Sequence, residues 1–282
     1  EPRWISGARS RAMVHRERAR VDAVLTGMGT VMVDDPLLTV RGTRARRTPL
    51  RVVWAPRLGL PLDRAIVRTG RPWVIAKWAE SADGRIATRP GEPRWISGAR
   101  SRAMVHRERA RVDAVLTGMG TVMVDAPLLT VRGTRARRTP LRVVWAPRLG
   151  MPHDRAIVRT AREVPTVVAA SAEAIAGAAR EADGLRAHGI DVLAAADEGA
   201  LLAELGRRGV ATVLVEAGSG LVRPMVARGL VNAAWVFTSP HELGDAGPRS
   251  AAPMTAAELS RLDCAWTGRR GDDRVSLYLV PA

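Results

Sequence analysis

The chain's one lysine, Lys77, lies inside an apolar run, Trp73-Val-Ile-Ala-Lys-Trp-Ala79, while every other basic residue among its 44 is arginine. A compact ammonium on a flexible stem does there what a planar guanidinium cannot. The plainer alternative is a strand-end lysine whose stem carries its charge to solvent. Other polar groups and glycines follow apolar runs in the same way. Ser81, Asp83 and Gly84 come after the first run; Gly118, Gly120, Thr121 and Asp125 come after a second; Glu216, Gly218, Ser219 and Gly220 come after a third. Glycine lets a ligand approach the backbone closely, and free amides at a following helix start can hold a phosphate. By itself Gly118-Met-Gly120-Thr121 falls short of the usual dinucleotide fingerprint, which needs a third glycine and a later acid.

Those positions take their meaning from the elements that carry them. Runs of strand length fall at 73–78, 114–117, 141–145, 166–170, 192–195, 212–215 and 234–237, and helical patterns at 172–180, 199–207 and 221–227. Ser97 is placed to cap a further helix running through Arg111. Strand and helix in alternation predict an α/β fold with a mostly parallel, twisted sheet and helices on both faces. Residues 274–280, with alternating Val275, Leu277 and Leu279, read as a final antiparallel edge strand. Ligands of such sheets bind beyond the carboxyl ends of the strands, which is where the polar groups above fall.

Residues 1–69 recur almost letter for letter at 92–160; only Asp35/Ala126, Leu60/Met151 and Leu62/His153 differ. Two copies do not make a solenoid. The stretch 72–91 and everything after Thr160 occur once, so 72–282 is expected to be the complete unit and 1–71 a partial duplicate of 92–162. Two copies compete for one place in one core. The direct connection from the strand at 73–78 favours the second copy, leaving the first to swap into another chain, pack incompletely or stay mobile; with the first copy in the core instead, the chain is a circularly permuted version of the same fold.

No apolar run reaches the roughly 20 residues of a membrane span, and nothing at the N-terminus resembles a signal peptide. The single cysteine, Cys264, offers neither a disulfide framework nor a thiolate zinc site, so a reducing cytoplasm fits best. The net charge of +16 raises the question of nucleic acid. Its distribution weakens that reading: residues 1–71 hold 15 Arg against 6 acids, so more than half of the excess is duplicated sequence, and no aromatic stacking motif accompanies it.

Five strings in order, Lys77-Trp-Ala-Glu-Ser-Ala-Asp-Gly-Arg-Ile-Ala87, Gly91-Glu-Pro-Arg-Trp-Ile-Ser97, Gly118-Met-Gly-Thr-Val-Met-Val-Asp125, Pro127-Leu-Leu-Thr-Val-Arg132 and Val215-Glu-Ala-Gly218, resemble the reductase domain of the bifunctional riboflavin-biosynthesis deaminase/reductase. The resemblance implies a dihydrofolate-reductase-like fold, NADPH as cofactor, a homodimer, and reduction of the ribosylamino group of 5-amino-6-(5-phosphoribosylamino)uracil to ribitylamino. It implies NADPH contacts at Glu80, Trp95, Gly118, Gly120, Thr121, Asp125 and Gly218. It implies contacts to the phosphorylated ribosylaminopyrimidine at Ser97, Arg109, Leu129, Arg132 and Glu216, with Lys77 and Glu216 at the reacting sugar and no metal. The zinc-dependent deaminase half is absent, since one cysteine cannot supply its ligands, and a separate deaminase protein is then expected. Pro93, Ala146-Pro147 and His241-Glu242 depart from the family pattern, which leaves room for a related pterin-like or antibiotic-pathway substrate. A non-catalytic or nucleic-acid-binding derivative is the reading from another class.

Overall fold

The computed structural model describes residues 71–86, 96–134, 139–244 and 251–280, and among the first 70 positions residues 10, 13, 14, 17, 18, 23–27, 30, 38 and 50–54. Two compact units divide the chain: Glu1–Arg71 with Leu205–Ala211, and Pro72–Glu204 with Thr212–Ala282. In the first, β1 (Ala23–Gly27) and β2 (Leu50–Trp54) form a parallel pair running from Ala23↔Leu50 to Gly27↔Trp54. Leu25 in β1 is 66% exposed. Leu38, between the strands, is buried in the left-handed region at φ 51°.

The second unit is built on β3 (Trp73–Glu80), whose residues alternate between half-buried and buried along its whole length. Its Val74, Ala76, Trp78 and Glu80 share one face, and Ile75, Lys77 and Ala79 the other. The chain continues through α1 (Ala99–Arg109), β4 (Ala114–Gly118), α2 (Met119–Asp125), β5 (Leu141–Trp145), α3 (Ala156–Arg159), β6 (Thr166–Ala170), α4 (Ala172–Gly177), α5 (Ala179–Ala187) and β7 (Asp191–Ala194). Then follow α6 (Glu198–Arg207), β8 (Thr212–Glu216), α7 (Ser219–Ala227), β9 (Ala233–Thr238), α8 (Ala256–Leu259), β10 (Asp263–Arg270) and β11 (Asp273–Leu279). Nine strands form one sheet in the order β10-β11-β9-β3-β8-β4-β5-β6-β7. The seven from β9 to β7 are parallel, and β11 and β10 add an antiparallel wing. All five residues of β6 are buried, as a parallel strand covered on both faces requires.

The predicted strands are all present, with ends moved by up to two residues. Three expectations need correction. Ser97 does not cap α1: the cap position is Gly98, which has no side chain to offer, and its N–H donates instead to Oδ2 of Asp273 at 2.8 Å. The last strand is not the edge, because β10 lies outside it. That strand, Asp-Cys-Ala-Trp-Thr-Gly-Arg-Arg, is exposed over most of its length and shows no period of two. The helical pattern at 172–180 breaks at Ala178 into α4 and α5. Trp95 and Pro93 lie outside the described residues.

Candidate active site

Neighbouring strands bring together what the sequence keeps far apart. β3 and β8 run in parallel with Lys77 opposite Glu216, so both side chains leave the sheet on one face. The same face receives α1, the helix that carries Arg109. Arg109 donates Nε–H to Oε1 of Glu216 (2.5 Å) and Nη2–H to Oε2 (2.9 Å), a bidentate pair whose partners are only 12% and 13% exposed. Its Nη1 donates to the Thr130 carbonyl at 3.0 Å. The β4 neighbour fixes the other side of Glu216, where the Thr117 hydroxyl donates to the Glu216 carbonyl at 2.7 Å.

Burial sets the electrostatics of this cluster. Burial pushes the Lys77 ammonium below its ordinary value; Glu216 opposes that shift and Arg109 adds to it. Burial alone would raise the Glu216 carboxyl, but the charge and hydrogen bonds of Arg109, with Lys77 and His106, bring it below the ordinary value. Lys77 is the fifth residue of an eight-residue strand, half-buried, with Nζ 5.2 Å from the Phe237 ring centroid, so it is not the strand-end snorkel. Glu80 lies on the other face of β3, and its carboxyl accepts from the Trp78 indole (2.8 Å) and the Thr238 hydroxyl (3.4 Å). Burial raises its pKa against those two hydrogen bonds.

The glycines sit where β4 and β8 end. Gly118 is the cap residue of α2 and Gly218 that of α7; both helices start without a side-chain cap and without an acid in the first turn. A Cβ on Gly118 would stand 3.6 Å from Leu221 in the first turn of α7, so the two helix starts are side by side. A Cβ on Gly120 would meet only open space. Two adjacent uncapped helix starts fit the anionic pyrophosphate of a dinucleotide. Thr121 and Asp125 lie on α2, Asp125 as its last residue.

Leu129 is buried at φ 52° in the loop after α2, and the exposed Arg132 closes that loop by donating its backbone N–H to Nδ1 of His106 at 3.2 Å. Ser97 is buried at the entry to α1, with its carbonyl accepting from Arg102. Sequence reasoning missed His106, Thr117 and Phe237. His106 had a signal, three residues before Arg109 on one helix face; the others are defined only by strand pairing. Among the described residues no group of His, Cys, Asp and Glu could hold a metal ion, and no helix is long and apolar enough to cross a membrane.

Comparison with known proteins gives this geometry a setting. The RibD C-terminal domain family matches residues 1–71 and 72–273. The riboflavin biosynthesis protein RibD of Actinobacillus pleuropneumoniae is 33% identical over 209 residues, covering 72% of this chain and 54% of that protein. The solved RibD of Acinetobacter baumannii superposes with a TM-score of 0.64 at 26% identity over 76% of this chain and 59% of that one. A Thermotoga maritima diaminohydroxyphosphoribosylaminopyrimidine deaminase/5-amino-6-(5-phosphoribosylamino)uracil reductase gives 0.61 at 22% identity, over 75% and 57%. The chain spans about half the length of the curated relatives it matches. The dihydrofolate-reductase-like α/β class follows from these neighbours.

Proposed function

The chain belongs to the RibD C-terminal domain family, and from that premise we propose that residues 72–282 form an NADPH-dependent reductase of riboflavin biosynthesis. Its substrate in this reading is 5-amino-6-(5-phosphoribosylamino)uracil, the compound in the name of the Thermotoga maritima enzyme, and its product carries a ribitylamino group. The observation that carries the reading is the juxtaposition of Lys77, Glu216 and Arg109 beside the two uncapped helix starts. NADPH, when bound, supplies the hydride. Gly118, Gly120 and Gly218 admit its phosphates to the backbone; Thr121, Asp125, Trp95 and Glu80 are its further contacts in this reading.

The chain's own residues do the rest by position and charge. Arg109 spends three of its five N–H groups on Glu216 and Thr130, leaving two for a phosphate oxygen, and Arg132 offers a second guanidinium at the rim. Leu129 and Ser97 are the further substrate contacts in this reading. The Lys77 Nζ holds a proton in a site that favours giving it up, suited to the nitrogen of a ring-opened imine as C1′ is reduced. Glu216 accepts a hydrogen bond from a sugar hydroxyl and fixes the orientation of the ribose. A cytoplasmic homodimer is the setting that membership of this family implies in this reading.

Loss of NADPH absorbance on adding this substrate to the full chain tests the reading. Turnover is expected, reduced about 100-fold or more in Lys77→Met and in Glu216→Gln. A folded chain that binds NADPH but leaves it unoxidised in the presence of this substrate overturns the assignment.

A further inference from the structure

One charged residue that the reaction does not use is more thoroughly enclosed than any that it does. Arg142, second residue of β5, is 0% exposed, and among the described residues its guanidinium hydrogen-bonds to neutral oxygens. Nε and Nη2 donate to the Thr166 hydroxyl (3.0 and 2.6 Å), Nη2 also to the carbonyls of Ile157 (3.1 Å) and Val164 (3.0 Å). Nη1 donates to the Thr160 hydroxyl (2.8 Å) and to the Leu128 carbonyl (3.3 Å). Burial lowers this group to about 10, against the opposing charge of Glu163, so it remains a cation at neutral pH. A buried cation is costly unless its hydrogen bonds are satisfied, and here they tie α3 and the start of β6 to the loop that leaves α2.

That loop holds two non-glycine residues in the left-handed region, Ala126 at φ 42° and Leu129 at φ 52°. Each costs about 1–2 kcal/mol and persists only where the surroundings over-determine it. The surroundings are two guanidiniums gripping carbonyls on either side of the buried Leu129: Arg142 on Leu128 and Arg109 on Thr130. The left-handed leucine recurs at Leu38 in the first copy, whose strand β2 also carries the matching arginine, Arg51. The shape therefore travels with this stretch of sequence.

We infer that Arg142 is a positioning residue for the substrate end of the site: it holds the 128–130 loop so that Leu129 and the Thr130-anchored Arg109 meet the phosphorylated sugar. The inference rests on the phosphate-binding reading above, and the test separates the two. In the full chain, Arg142→Lys keeps the charge but loses the fork. It is expected to raise KM for the substrate, and to weaken binding of ribose 5-phosphate measured by calorimetry, by about tenfold, with kcat and NADPH affinity little changed. Wild-type chain that does not bind ribose 5-phosphate refutes the phosphate reading. Wild-type binding that Arg142→Lys leaves intact, or a fall in kcat alone in step with lost folded protein, refutes the positioning role. Should Arg142→Lys not fold, Thr166→Val keeps Arg142 and removes its hydroxyl anchor; a smaller rise in the same two constants is expected, and no rise overturns the inference.

Discussion

The two copies of one sequence differ less in backbone than in surroundings. β1 and β2 pair in parallel from Ala23↔Leu50 to Gly27↔Trp54, and β4 and β5 from Ala114↔Leu141 to Gly118↔Trp145, the same register residue for residue. Leu38 and Leu129 turn left-handed at φ 51° and 52°. Yet Leu25 is 66% exposed and its twin Leu116 0%. The neighbours explain it: β4 and β5 are flanked by β8 and β6, whereas among the described residues β1 and β2 pair only with each other. Local sequence sets strand pairing and loop shape here, and burial comes from strands that occur once.

Deletion separates the two copies most strongly. Removing 1–71 is expected to leave NADPH binding and turnover near those of the full chain, while removing 92–160 abolishes both; the reverse pattern would make the first copy the working one. Next come the twin leucines. Leu116→Ala should cost about 2–5 kcal/mol in urea unfolding, and Leu25→Ala should stay within about 0.5 kcal/mol. Equal losses would mean that both leucines are buried.

Twin arginines sharpen the contrast at the site. Arg109→Ala removes a charge-assisted hydrogen-bonding group and should lower kcat/KM by about 10- to 100-fold; Arg18→Ala, its copy, should lower it not at all. A pH series on the same pair gives a smaller effect. The folded Glu216 carboxyl lies below its ordinary value of 4.5, so its contribution is complete above the unfolded value and is lost as pH falls through the lower folded one. Unfolding free energy should therefore drop less steeply below about pH 4.5 in Glu216→Gln than in the parent chain.

The smallest effect concerns Ala126, which sits at φ 42° where the first copy has Asp35. Aspartate eases the left-handed backbone but puts a negative charge at a helix C-terminus. The two effects oppose at about 0.5 kcal/mol each, so Ala126→Asp should be near neutral. Ala126→Gly keeps the relief without the charge and should gain about 0.5–1 kcal/mol. Stability of Ala126→Gly no higher than that of the parent chain would show that strain at the cap is not felt.

What the sequence made legible follows the same division. The core strands were readable because parallel, doubly covered strands are apolar throughout, as β6 shows. β10 was not, since an exposed edge needs no apolar pattern. Ser97 stood where a cap belongs, but the helix starts one residue later and takes its partner from Asp273, far along the chain. Lys77 could be singled out by its type. That Glu216 would stand opposite it depends on strand order, which no local pattern encodes. Arg142 carries no local signal: nothing in Leu-Arg-Val-Val-Trp distinguishes a solvated arginine from one enclosed by six oxygen contacts.

The placing of β3 between β8 and β9 also has a consequence in time. A ribosome adding about 5–20 residues per second needs on the order of ten seconds to pass from the end of β3 to the end of β9. Until β8 emerges an apolar strand waits with both edges open, and until β9 with one, while the β4–β5 pair can close within a short stretch of chain. An open strand of this kind is a template for wrong partners, so the nascent chain is most exposed to aggregation between β3 and β9. Lys77 and Glu216 can meet once β8 has emerged, and a chain stalled before β8 cannot be active.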